Sequence, residues 1–228
     1  MLYHPIEIKC IGDEIEMSEI DIEKNKILDD IVINRRTIRE FKPDVPPKEL
    51  IEDILEAGLQ APFAAIAVIG EKYFRRFYIL KQGESMDKIA EIIQKRVKIV
   101  SDNLSKQLYI IPKSEGFLKI LNDIADNGYN FRPPYLIIVA EKEGFPPVAQ
   151  LSLAHCLENM WLKATALGLG FRLISILSEL SKDPEFCQFI GIKPGEYALN
   201  GCAVGYAKIV PPKIERPLLN EVTTWITN

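Results

Sequence analysis

Apolar residues change their spacing several times along the chain, and each change marks an element. Ile6, Ile8, Cys10, Ile15 and Met17 alternate loosely, which predicts a short hairpin or two strands around Gly12-Asp13. From Lys26 the spacing of Ile27, Leu28, Ile31 and Val32 turns helical and sets Arg35 at the helix's carboxyl end. Pro47, a good first-turn residue, opens a second helix that buries Leu50, Ile51, Ile54, Leu55 and Gly58 or Leu59. Tyr73 to Leu80 is aromatic and β-prone and predicts a strand. Met86, Ile89, Ile93, Val97, Val100, Leu104 and Leu108 then recur at helical spacing until Pro112, and a shorter helix is predicted around Phe117, Leu118, Leu121 and Ile124.

Tyr135 to Ala140 is almost wholly apolar, as expected of a central strand buried on both faces. After a turn at Gly144 to Pro147 comes the strongest helix, Val148 to Leu167, with Leu151, Ala154, Leu157, Trp161 and Ala164 or Thr165 near one face. Its other faces carry little polarity, so burial on several sides is predicted, with Gly168-Leu169-Gly170 as the break. Phe171 to Ile176 predicts a short strand, Ser181 to Phe189 a helix, and Tyr197 to Ala207 a strand carrying Gly201 and Gly205. The mixture implies an α/β or α+β sandwich. No repeat or low-complexity linker divides it, which predicts a single domain over 1–228 with 1–25 as an N-terminal leader.

At 228 residues the chain is long enough to bury a core without disulfide or metal staples. A net charge of −4 disfavours a general nucleic-acid binder, while 47% hydrophobic residues exclude a largely disordered chain and suggest a generous core or a buried subunit interface. Cys10, Cys156, Cys187 and Cys202 are scattered, with no CxxC pair, and read as small buried hydrophobes in a reducing compartment. The apolar runs are too short for a membrane span, and the start lacks a secretory pattern. A cytoplasmic location is therefore expected, and neither His4 nor His155 has neighbours at metal-binding spacing.

The candidate chemistry lies at the two ends. Arg35-Arg36-Thr37-Ile38-Arg39 offers three guanidinium forks and a hydroxyl, and Lys213 and Arg216 supply cations near the other end. Such a set can cradle a phosphate, but on charge alone a surface turn with solvent-facing arginines is the preferred reading. The dipole of a preceding helix would oppose an anion there, so the arginines themselves must attract it. Gly168-Leu169-Gly170 lacks the third glycine of a dinucleotide fingerprint and follows a helix, which argues against that kind of site. Glu141, Glu143 and Glu158 form no convincing carboxylate pair and read as a solvated face. Tyr109, Phe117, Tyr129 and Phe131 are candidates for a lid over a ring-shaped substrate or for core packing.

In order along the chain, Arg35-Arg36-Thr37-Ile38-Arg39-Glu40-Phe41, Leu50 to Pro62, Pro134 to Val139, Leu162 to Gly170, and Val204-Gly205-Tyr206 with Lys213 and Arg216-Pro217 resemble segments of the nitroreductase family of flavin enzymes. The resemblance implies an α+β fold: an α/β/α sandwich around a mixed, mainly antiparallel sheet. It also implies a homodimer with its sites at the subunit interface. By the same resemblance the cofactor is FMN, reduced by NADH or NADPH and reoxidised by a small organic acceptor. Arg35, Arg36, Thr37 and Arg39, with Lys213 and Arg216, then correspond to phosphate and ribityl contacts, while Pro62, Phe63, Ala64, Gly168 and Gly170 approach the ring. No side chain is assigned as a catalytic acid or nucleophile, because the protein's task would be to orient the cofactor.

One segment departs from the family pattern. Relatives carry a small polar residue and then an asparagine after the helix ending at Pro62, whereas Phe63-Ala64-Ala65-Ile66-Ala67-Val68-Ile69 has neither. Two alternatives to a reductase therefore stand: a flavin-binding protein with redirected or little reductase activity, and a cofactor-free interaction protein whose arginines form ion pairs.

Overall fold

The computed structural model describes residues 22–63, 74–106, 115–128 and 131–226. The expected hairpin at 6–17 lies outside them, as do Ala64, Tyr109, Pro112 and Tyr129. Helix α1 (Ile22–Asn34) precedes α2 (Lys48–Leu59), strand β1 (Arg75–Lys81), α3 (Glu84–Ser105) and α4 (Glu115–Asn127). Then follow β2 (Tyr135–Lys142), α5 (Ala149–Ala166), β3 (Gly170–Leu173), a 3-10 helix (Ser175–Leu180), α6 (Pro184–Ile190), β4 (Tyr197–Gly205) and α7 (Leu219–Val222).

The four strands form one sheet in the order β1-β2-β4-β3, with every neighbouring pair antiparallel. The parallel element is an isolated bridge from Thr37 to Phe171. Alternation along β2 divides the core in two. Tyr135, Ile137 and Val139 face Ile51 and Ile54 of α2 and Leu153, Leu157 and Met160 of α5. Leu136, Ile138 and Ala140 face Ile89, Ile93 and Val97 of α3 together with Leu177 and Phe186. Both faces of β2 are thus covered, as its unbroken apolar run requires. The result is an α/β/α sandwich, in which truncating Ile137 or Ile138 to alanine costs about 2–5 kcal/mol. Gly201 sits at the crowded centre, where an added Cβ would strike the Ile137 carbonyl.

Four sequence expectations need correction. Leu157, Trp161 and Ala164 of α5 are buried as expected, but Leu151 and Ala154 are exposed, and Ser152, Leu153, Cys156 and Met160 complete the buried face. Because the helix is apolar nearly all round, periodicity gives little guide to which stripe faces inward. The expected strand from Phe171 to Ile176 stops at Leu173 and passes into the 3-10 helix, and α6 begins only at Pro184, where the Asp183 side chain accepts the Phe186 N–H. Glu141 belongs to no solvated face: it is fully buried beside Arg75.

Among the described residues helix α1 has no buried side chain; Ile27, Leu28, Val32 and Ile33 are all more than half exposed. The arm beyond β4 is similar, with Ile214, Leu219, Trp225 and Ile226 in solvent.

Candidate anion site

The two basic ends meet. A strap formed by residues 40–42 runs alongside 206–208, through Lys42 N–H to the Tyr206 carbonyl (2.9 Å), Lys208 N–H to the Glu40 carbonyl (2.9 Å) and an ion pair from Lys208 Nζ to Glu40 Oε2 (3.2 Å). This pairing carries the chain after β4 back to the turn after α1. Between them lies a cavity of about 470 Å³ whose polar lining is Arg35, Arg36, Thr37, Arg39, Lys213 and Arg216. Val32, Ile33, Pro211, Pro212 and Ile214 make its apolar walls. Five cations and a hydroxyl around one cavity form a donor set for an anion with an apolar portion.

The turn is held from beneath by α5 and β3. Ile38, buried, donates its N–H to the Phe171 carbonyl at 2.9 Å, and the Trp161 indole N–H donates to the Arg36 carbonyl at 3.2 Å. Arg36 turns back on α1, its Nη1 donating to the carbonyls of Ile33 (2.7 Å) and Arg35 (2.8 Å). Its charge thus faces the helix's negative end, a favourable placement. Arg35 lies with its guanidinium 4.2 Å from the Trp161 ring centre and its Nε 3.2 Å from Glu158 Oε1. Arg39, Lys213 and Arg216 are exposed.

The other described sequence candidates do not line this cavity. Pro62 is exposed, and the Phe63 ring packs 4.3 Å from that of Phe74. Gly168 (φ +71°) ends α5 in a Schellman motif, with its N–H on the Thr165 carbonyl and that of Leu169 on the Ala164 carbonyl. Gly170 lets Ile38 approach, since an added Cβ would stand 2.9 Å from the Ile38 side chain. Its role is to admit the basic turn against β3. Phe117 is exposed, while Phe131 packs against Phe41 and lies under the Arg172 guanidinium.

Trp161, Glu158 and the Glu40–Lys208 strap were not expected in the site. Trp161 carried only a core signal, and the others depend on contacts between distant segments. Cys156 and Cys202 are buried as expected; burial pushes the Cys156 thiol up to about 12 and Cys202 well above its ordinary value. Neither supplies a thiolate near neutral pH.

Solved structures with this architecture include a nitroreductase with bound FMN from Bacteroides fragilis, at a TM-score of 0.65 and 20% identity over 88% of this chain and 98% of that one. A BluB-like flavoprotein from Clostridium difficile matches at 0.65 and 20% identity, covering 88% of this chain and 99% of that one. An iodotyrosine deiodinase bound to FMN and 3-iodo-L-tyrosine matches at 0.62 and 20% identity, covering 88% and 100%. At these identities the likeness is one of fold. None of the curated proteins matches the chain. The nitroreductase family model matches residues 32–206, most of the chain and the whole sheet, so this protein belongs to the nitroreductase family.

Proposed function

We propose that the protein is an FMN-dependent oxidoreductase that takes electrons from reduced nicotinamide, passes them to a small organic acceptor, and works as a homodimer. The observation that carries this reading is the cavity in which the turn at 35–39 faces Lys213 and Arg216. Its donor set fits a cofactor monophosphate: Arg35, Arg39 and Arg216 offer charge-assisted forks, Lys213 a point charge and Thr37 a hydroxyl. Arg36 takes a lesser part, because its guanidinium already caps α1. When bound, FMN supplies the two-electron chemistry, and the residues of the chain hold its phosphate and fix its position. Pro62, Phe63, Ala64, Gly168 and Gly170 remain proposed ring-side neighbours, supported by the family resemblance alone.

The dimer is supported by α1 and the C-terminal arm, whose apolar side chains lie in solvent in the single chain. Among the described residues no helix is long and apolar enough to cross a membrane.

A second reading, a flavin binder with little reductase activity, is favoured by one feature. Phe63 opens a segment without polar side chains and spends its ring on Phe74. Protein purified without added flavin should be yellow and release FMN on denaturation, and colourless protein that fails to bind added FMN would overturn the proposal. Oxidation of NADH and NADPH with quinone, nitroaromatic and haloaromatic acceptors separates a reductase from a passive binder.

A further inference from the structure

We propose that Trp161 and Glu158 of α5 are positioning residues for Arg35, holding its guanidinium by one face and one edge so that its two terminal nitrogens are left to grip a phosphate. The proposal rests on the reading of the cavity as the FMN phosphate site. Trp161 is only 6% exposed and stacks on Phe171, with ring centres 5.1 Å apart and planes 19° from parallel. The guanidinium of Arg35 lies over its ring at 4.2 Å, and its indole N–H holds the next carbonyl, that of Arg36. Phe171, Trp161 and Arg35 are therefore linked by successive ring contacts from the buried sheet to the cavity wall. Glu158 meets Arg35 at Nε, the edge remote from one terminal nitrogen, and among the described residues neither Nη1 nor Nη2 has a protein hydrogen bond.

A free arginine side chain loses rotamer freedom when it binds, and an arginine already fixed on an aromatic face loses less. Fixing Arg35 in the free protein thus strengthens its hold on an anion without adding a contact to that anion. The carboxylate of Glu158 would repel a phosphate at short range, but it is half exposed, well screened, and pairs with Nε. Orientation is expected to outweigh that repulsion.

The test compares dissociation constants for FMN and for riboflavin, which has the same ring and no phosphate, in full-length protein. Trp161→Phe should weaken FMN about three- to tenfold and leave riboflavin unchanged. In an Arg35→Ala background the same change should have a clearly smaller effect, limited to the loss of the indole bond to the Arg36 carbonyl. Glu158→Ala, on the surface and safe for folding, should weaken FMN about two- to fivefold. Thermal unfolding of each variant checks that the fold is retained. Equal losses for FMN and riboflavin, or an undiminished Trp161→Phe effect without Arg35, would make Trp161 a packing residue and overturn the proposal. Tighter FMN binding by Glu158→Ala would also overturn it, by making Glu158 a competitor of the phosphate. Unchanged FMN affinity in Arg35→Ala alone would remove the phosphate-site assignment of Arg35 and this proposal together.

Discussion

Arg75 and Glu141 stand directly opposite each other in the β1–β2 register, with Nε 2.8 Å from Oε2 and both side chains out of solvent. The same guanidinium donates to the carbonyls of Gly58 (2.8 Å) and Ala61 (3.1 Å), so one cation fastens the carboxyl end of α2 to the sheet. Burial raises the Glu141 pKa above its ordinary value, while Arg75 and, more weakly, Ser152 oppose the shift. Removing either partner leaves the other buried and uncompensated. Arg75→Met or Glu141→Leu alone should therefore destabilise the protein by about 3–5 kcal/mol in urea unfolding. The two together should cost clearly less than the sum, and strict additivity would show that the pair is not coupled.

Arg39→Ala and Arg216→Ala should each weaken FMN binding by about 1.5–3 kcal/mol, roughly ten- to a hundredfold. Both side chains are exposed, so thermal stability of the flavin-free protein should hardly change. Titration calorimetry at low and high salt should also show affinity falling as salt rises. Salt-independent binding, unmoved by either substitution, would place the cofactor elsewhere.

Glu185 of α6 bridges Lys88 and Lys95 of α3, at 2.8 Å to each, and these two hydrogen bonds lower its pKa from 4.5 to about 2. A carboxyl depressed on folding stabilises above its unfolded pKa, and that contribution is lost as pH falls from 4.5 toward about 2. Glu185→Gln should lower the unfolding temperature slightly at pH 7 and progressively less below pH 4.5, with little difference near pH 2. All three groups are solvent-accessible, so the effect should also shrink in salt. A difference that persisted at the acid end would assign the loss to packing.

Sedimentation of the native protein should give a mass near twice 25.9 kDa. Ile27→Lys with Leu28→Lys, on the exposed side of α1 and away from the cavity lining, should shift it to one chain and, if the site needs both subunits, release flavin as well. A native monomer with full flavin occupancy would remove the dimer from the proposal.

Gly170→Ala should disturb binding from beneath the site. Its new Cβ pushes Ile38, which is bonded to Phe171 and lies between Thr37 and Arg39. A stability loss of about 1–3 kcal/mol should accompany weaker FMN binding. Calorimetry and thermal unfolding on one preparation check both, and a gain or no change in either would mean that the turn can yield.

What could be read in the sequence follows from how local each signal is. The apolar run of β2 and the periods of α2 and α3 predict those elements because each buries what lies next to it in the chain. The inward face of α5 is legible only in part: Leu157, Trp161 and Ala164 are buried as expected, but the exposed Leu151 is as apolar as the buried Leu153. Arg75 and Glu141 gave no sign of their pairing, which exists only once β1 and β2 are in register across an interval of 66 residues. The meeting of Arg35 with Arg216 was expected from charge and family resemblance, but the strap through Glu40 and Lys208 that brings it about was not. Helix α1 showed its period without showing that, among the described residues, Ile27, Leu28, Val32 and Ile33 stay largely exposed.

The joining of the two ends by residues 40–42 and 206–208 also sets the order in which the protein can mature. During synthesis Arg35 to Arg39 leave the ribosome long before Lys213 and Arg216, so the complete cation set arises only after all four strands have been made. An anion bound there recognises the finished chain and scarcely at all the partly folded ones. By mass action it then adds stability to the native state alone, about 2.7 kcal/mol at a hundredfold excess over its dissociation constant. If FMN is held there as proposed, its capture seals folding that is already complete, and its loss should first loosen the strap and the arm that follows it.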